Sequence, residues 1–295
     1  MSRGDPAPAI YFLSDYGTAD EFVGVVHAVL HRRAPGVPVI DLSHRIPPFD
    51  VAAGSAMLAR CAPDLGAGVV LAVVDPGVGT DRRAVAVRVG GGGTDPAVPT
   101  AARPTWLVGP DNGLLAEAVA VLGGAAGAIE LGPVRPAPPG GPGPERVAGR
   151  GPTFDGRDVF APAAAHLALG GDPHLLGAPV DPLTMVTEPA GPPRPEVRLL
   201  STPGGTEVVT TVTAVDRFGN VQLALAARIL DEVGLRPGGT AEVAVVHGPG
   251  RAVPVRRVVA FAELAEGELG LLIDSSGRPA LVFDRASAAQ ALGLG

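Results

Sequence analysis

The stretch GVVLAVVDPGVG, residues 68–79, decides the fold. Its first seven residues are apolar without a break, and then Asp75, Pro76 and Gly77 end the run. A strand with one wet face alternates apolar and polar residues, whereas an unbroken apolar run of this length suits a strand covered on both faces. Working outward, AIYFLS at 9–14 reads the same way and leads into Asp15, and VPVIDL at 37–42 carries Asp41. Between them, Phe22, Val25, Val26, Val29 and Leu30 recur at helical spacing over 20–33, and Pro35 stops the pattern. Residues 51–60, 114–122 and 158–169 read as further helices, and 84–89 and 106–108 as further strands. Helices alternating with apolar strands predict an α/β/α layered domain with a mostly parallel sheet. Ligands of such sheets bind at the carboxyl ends of strands. Asp15, Asp41, Asp75 and Asp111 all read as lying at or near such ends.

Two Gly- and Pro-rich segments, 90–104 and 132–152, read as surface insertions. PAGPPRP at 189–195 reads as a linker. Beyond it, 207–215, 221–225, 240–247, 253–261, 269–273 and 279–283 read as short strands of a small barrel or sandwich. The predicted organisation is an α/β domain over 1–188, a linker over 189–196 and a β-rich domain over 197–295.

Composition removes several classes of function. Of 295 residues, 46% are hydrophobic, enough for a sizeable core. The net charge is −7 and the 23 Lys and Arg form no basic block, which argues against nucleic acid. Aromatics at 4% offer little for stacking bases. The lone cysteine, Cys61, can make neither an internal disulfide nor a two-thiolate zinc site. No run reaches a membrane-spanning length, and MSRGDPAPAI has no signal-peptide core, so the expectation is a soluble cytoplasmic protein. There is no phosphate loop and no G-x-S-x-G elbow. The six histidines show no ligand signature, and His27 and His31 read as a solvated helix face.

What remains is a series of acid-and-glycine motifs: LSDYGTADEFVG (13–24), IDLSH (40–44), VVDPGVGTDRR (73–83), VGPDNGLL (108–115), TFDGRDVFAP (153–162) and VDRFGN (215–220). Six motifs in this order resemble the S-adenosyl-L-methionine (SAM) hydrolases, also called SAM hydroxide adenosyltransferases, over nearly the whole chain. The fluorinating and chlorinating enzymes are relatives of that family. The resemblance implies an α/β domain followed by a β-barrel. It implies a homotrimer binding SAM between the N-terminal domain of one subunit and the C-terminal domain of the next. It also implies attack of water on the ribose 5′ carbon, with SAM as substrate and neither metal nor organic cofactor.

By the same resemblance, Asp15 accepts the ribose hydroxyls and Phe49 lies against sugar or base. Asp75, Arg82 and Asp155 form the catalytic set, with Arg83 able to replace Arg82. Asp216 and Asn220 hold the methionine ammonium, for which carboxylate and amide oxygens are sensible acceptors. Ser276 faces the methionine carboxylate. Asp111, Asn112, Asp41, Ser43 and His44 read as structural or supporting residues. Gly77 and Gly79 suit positive φ or close backbone approach.

One position departs from the family. Where members read T-F-H-G-R-D, this chain has Asp155 in place of the histidine. Asp155 can orient the water, or slow the reaction without abolishing it, since a sulfonium leaves as a neutral thioether and needs mainly alignment. The third reading is a protein that binds SAM or adenosine without turnover. A halogenase is disfavoured, because a desolvated halide beside Asp75 and Asp155 meets like charge.

Overall fold

The computed structural model describes residues 8–90, 104–132, 153–191, 194–202, 205–246 and 252–294. Most of the two expected insertions, and His247 at the end of one expected strand, lie outside these residues. The chain divides into two units, Met1–Gly191 and Pro192–Gly295.

The first unit carries a seven-stranded sheet in the order β2-β1-β3-β5-β4-β6-β7. Its strands are β1 (Ala9–Ser14), β2 (Val39–Ser43), β3 (Gly68–Val73), β4 (Ala84–Val89), β5 (Pro104–Pro110), β6 (Ala125–Leu131) and β7 (Gly177–Val180). β2, β1, β3 and β5 pair in parallel, while β4 runs against both β5 and β6, and β7 against β6. Five of the seven strands therefore point the same way, as expected of a mostly parallel sheet.

β1 shows why its sequence lacks alternation. Ile10 and Phe12 enter one core with Val26, Val29 and Leu30 of α1 (Phe22–Arg33) and the alanines of α4 (Ala161–Ala168). Tyr11 and Leu13 enter a second core with Val51 and Leu58 of α2 (Val51–Cys61) and Ala118 of α3 (Ala116–Val121). Alternate side chains leave opposite faces of a strand, and both faces here are covered by helices. Each buried Leu, Ile or Phe contributes about 1.5–3 kcal/mol.

The helix expected at 158–169 begins as a wider turn. Residues Gly156–Phe160 form a π-helical segment that runs into α4. Such segments recur where a helix must place side chains at a functional site. Here the segment directly follows Asp155.

The second unit is a closed seven-stranded barrel, β10-β14-β13-β12-β11-β8-β9. Its strands are β8 (Glu196–Thr202), β9 (Glu207–Val215), β10 (Val221–Leu223), β11 (Thr240–Val245), β12 (Val253–Arg257), β13 (Gly270–Ile273) and β14 (Pro279–Val282). The closed barrel is the form that the family resemblance implied, where strand spacing alone left barrel or sandwich open. Closure leaves no free edge, and Val197, Val221, Leu223, Val243, Val255, Leu271 and Leu281 fill the interior. Two helices, α5 (Ala227–Glu232) and α6 (Ala288–Ala291), carry Leu230, Ala288 and Ala289 to the same core. β12 ends at Arg257, earlier than the run to 261 suggested, and residues Phe261–Glu263 form a short 3-10 turn.

Candidate active site

Parallel pairing brings the ends of β1, β3 and β5 to one edge of the sheet. Asp15 follows β1 directly, Asp75 stands two residues beyond β3, and Asp111 follows β5. Asp41 is the exception, because it lies within β2 rather than at its end.

Arg82 connects two acids that lie far apart in sequence. Its Nε donates to Asp75 Oδ1 at 2.8 Å, and its Nη2 donates both to Asp75 Oδ2 and to Asp155 Oδ2, the latter at 2.6 Å. All three side chains are mostly buried, at 12%, 6% and 13% exposure for Arg82, Asp75 and Asp155. Burial opposes the charge on Arg82, but its hydrogen bonds and charge contacts with Asp75 and Asp155 win and hold the guanidinium more firmly protonated than usual. The Phe160 ring lies 5.2 Å below the guanidinium. The group carries two negative charges against one positive. The sequence-predicted catalytic set is thus one contiguous cluster.

The 75–80 turn makes room for this arrangement. Gly79 takes φ +80°, in the left-handed region that suits glycine. Gly77 is not left-handed. Its hydrogen faces Arg82, whose Cγ would lie 3.0 Å from an added Cβ.

Arg83 takes a different direction. It binds Asp111 through Nε at 2.8 Å and Thr184 through Oγ1 and the backbone carbonyl at 3.1 and 2.6 Å. Asp111 Oδ1 accepts from Val186 N–H at 2.9 Å, and Asn112 ties the carbonyl of Val74 and the N–H of Leu114. Asp111, Asn112 and Arg83 are engaged in holding loops together.

Asp15 Oδ2 accepts the backbone N–H of Phe49 at 2.9 Å. Burial raises the Asp15 carboxyl above its usual range against that hydrogen bond, and the charge of Asp75 adds to the rise. Phe49 is 68% exposed and takes φ +67°, a rare conformation for an aromatic residue. Its ring is therefore not a core element of this chain. Asp50 instead caps α2, accepting from Ala53 N–H at 2.8 Å.

Tyr16 escapes the sequence reading. Its ring packs edge-on to Phe154 at 5.5 Å and to Phe12 at 6.4 Å, and lies 5.8 Å from Phe22. Burial, and then the charges of Asp15, Asp75 and Asp155, push its phenol far above the ordinary range. The phenol is therefore neutral and sits among all three acids. Gly156 is required beside it, since a Cβ there would meet Tyr16 Oη at 2.1 Å. The only sequence signal was the D-Y-G run itself.

In the second unit, Asp216 organises its own turn. Oδ1 accepts from Phe218 and Asn220 N–H at 2.8 and 3.0 Å, and Oδ2 accepts from Asn220 Nδ2 at 2.8 Å. Asn220 also lines a cleft of about 580 Å3 with Phe218, Phe261, Phe283, Arg285 and Gln290. Apart from Asn220, these lining residues were not picked out from the sequence. Their aromatic rings come from separate turns and loops, which no spacing reveals. Ser276 stands on the exposed β13–β14 turn, donating its N–H to Asp274 Oδ1 at 2.8 Å, and is not among the residues lining that cleft.

With this geometry in view, residues 10–177 match the SAM hydroxide adenosyltransferase N-terminal domain, and residues 210–295 match the C-terminal domain. This chain belongs to the SAM hydroxide adenosyltransferase family. It is similar to proteins named (R)-S-adenosyl-L-methionine hydrolase from Salinispora tropica and Thermus thermophilus. The first is 42% identical, covering 98% of this chain and 95% of that protein; the second is 43% identical, covering 97% and 95%. Proteins named fluorinase match at the lower identity of 27%. The crystal structure of an uncharacterized conserved protein from Thermotoga maritima superposes with a TM-score of 0.75 at 28% identity, covering 97% of this chain and 96% of that one. Among the described residues of this family member, no helix is long and apolar enough to cross a membrane.

Proposed function

We propose that this chain hydrolyses S-adenosyl-L-methionine to adenosine and L-methionine. The observation that carries the reading is the buried Asp75–Arg82–Asp155 cluster at the strand ends of a SAM hydroxide adenosyltransferase fold. The net negative charge of that cluster suits a sulfonium substrate. In this reading Asp75 and Asp155, aligned by Arg82, hold a water in line with the bond between sulfur and the 5′ carbon. The oxygen–carbon bond forms as the carbon–sulfur bond breaks. The electron pair stays on sulfur, methionine leaves as a neutral thioether, and the water loses its proton to a neighbouring carboxylate or to solvent. Alignment supplies most of the acceleration, so no cofactor is required by the step.

Asp15 keeps Oδ1 for the ribose hydroxyls while Oδ2 holds Phe49, and the exposed Phe49 ring is free to cover the sugar. Asp216, Asn220 and Ser276 bind the amino-acid end, with Asp216 and Asn220 pre-set by their shared turn. We place the working site in a homotrimer, between the α/β domain (1–188) of one subunit and the barrel domain (197–295) of the next, joined through a linker at 189–196. We place the protein in the cytoplasm, which suits its single free cysteine, Cys61.

Incubation with SAM followed by chromatography tests the reading. Equimolar adenosine and methionine are expected. Tight SAM binding without adenosine would convert the assignment to a binding protein, and a 5′-halo-adenosine formed in added fluoride or chloride would convert it to a halogenase.

A further inference from the structure

A second cluster lies at the sheet edge, built from groups that the displacement reaction does not use. His27 sits in the middle of α1, Asp41 lies in the edge strand β2, and His44 follows that strand. His27 Nε2 is 2.8 Å from Asp41 Oδ1, and His44 Nε2 is 3.1 Å from the same oxygen. The three donor atoms lie within 4.8 Å of one another. Bonds of about 2.0–2.2 Å to a first-row ion place its ligand atoms roughly 3.0–3.5 Å apart, so small side-chain adjustments admit an ion here.

His44 supplies an independent indication. The residue is 6% exposed, and its Nε2 is buried without a well-formed hydrogen bond. Asp41 Oδ1 lies 3.1 Å away without completing a hydrogen bond, and a buried polar atom left so incompletely satisfied is costly. The other ring nitrogen, Nδ1, lies 2.7 Å from Ser14 Oγ. In the tautomer whose Nδ1–H donates to that hydroxyl, Nε2 directs a lone pair at Asp41, which is the outer-shell arrangement of a metal-binding histidine. The Phe12 ring backs both imidazoles, with centroids 4.5 Å from His44 and 6.1 Å from His27. Asp41 and His27 are 43% and 36% exposed, which opens the cluster to an entering ion and to water ligands.

We propose that His27, Asp41 and His44 bind a divalent first-row transition ion of the zinc or cobalt class. Two imidazoles and one carboxylate suit such ions, whereas calcium and magnesium require oxygen-rich shells. The ion ties α1 to β2 and, through His44 and Ser14, braces the residue that precedes Asp15.

The test uses the full chain, stripped with a chelator and titrated with Co(II) while visible d–d absorption is followed, then with Zn(II) in competition. One equivalent of Co(II) is expected, displaced by one equivalent of Zn(II). His27→Ala lies on a half-exposed helix face and leaves the core intact. It is expected to weaken binding by more than about 100-fold, beyond the range of an outer-shell change, and Ser14→Ala by about tenfold. Absence of a Co(II) spectrum together with absence of stoichiometric Zn(II) uptake overturns the site and leaves a hydrogen-bonded His–Asp–His cluster. So does equal binding by the wild type and His27→Ala.

Discussion

Arg82 and Arg83 are neighbours in sequence with opposite surroundings. Both immediately precede β4 (Ala84–Val89), yet their side chains reach different partners. Arg82 reaches two acids and leaves the cluster with one uncompensated negative charge. Arg83 reaches one acid, through Nε and Nη2, while Nη1 and Nη2 also donate to Thr184. One arginine aligns a reactive, negatively charged group, while the other seals a loop. The sequence left either arginine open for the catalytic role, and the partners that the fold brings to each separate them.

Mutations can break this contrast, and the largest effect is expected at the Arg82 side. Asp75→Ala removes the acid that accepts from both Nε and Nη2 of Arg82. It should lower kcat for SAM by about 10²–10³-fold while SAM binding changes little, as expected where an interaction acts mainly in the transition state. An unchanged turnover would move the site elsewhere. Asp155→Ala should lower kcat by about 10²-fold, the lower end for a positioned acid–base group. If Asp155→His instead raises kcat, the aspartate is a slower substitute for the family histidine.

Arg83→Ala should show the reverse pattern. It leaves Asp111 buried without its cation, at 2% side-chain exposure, and should destabilise the fold by about 1–3 kcal/mol with kcat retained. Equal loss of turnover in the Arg82→Ala and Arg83→Ala variants would erase the distinction.

The smallest effect sharpens the picture at Asp15. Its carboxyl is raised, chiefly by burial. The folded chain therefore holds that proton to higher pH than the unfolded chain, whose carboxyl titrates near 3.8. Between the two values the folded state binds more protons, so stability falls as pH rises through that window, and the ionised group subtracts stability at neutral pH. Asp15→Asn keeps an acceptor for Phe49 N–H and removes the charge. It should raise Tm at neutral pH, lose that advantage below the unfolded value, and weaken SAM binding. A lower Tm at pH 7 would show that burial of the charge is not what limits stability there.

The apolar runs 9–14 and 68–74 were legible as central strands because burial on both faces leaves no polar positions. β6, β7 and β8 were not read. AAGAIEL and GAPV are small and weakly patterned, and their pairing in the sheet is what makes them strands. α5 and α6 are too short for periodicity to show. In the site, Asp75, Arg82 and Asp155 were found through motif resemblance. Tyr16 and the aromatic cleft of the barrel were missed because rings gathered from different elements leave no common spacing. The same applies to His27, read from the sequence as part of a solvated helix face, and to Asp41 and His44, read as structural or supporting residues.

By itself, the sequence determined the layered α/β class, the order of its central strands and helices, and the identity of the acids at the strand ends. These follow from local periodicity and from residue chemistry, which act over a few neighbouring positions. The tertiary structure alone decided Arg82 over Arg83 as the link between Asp75 and Asp155, and the meeting of two histidines with Asp41. Those outcomes depend on contacts between distant segments, where angstrom-scale geometry and burial set which charge meets which partner.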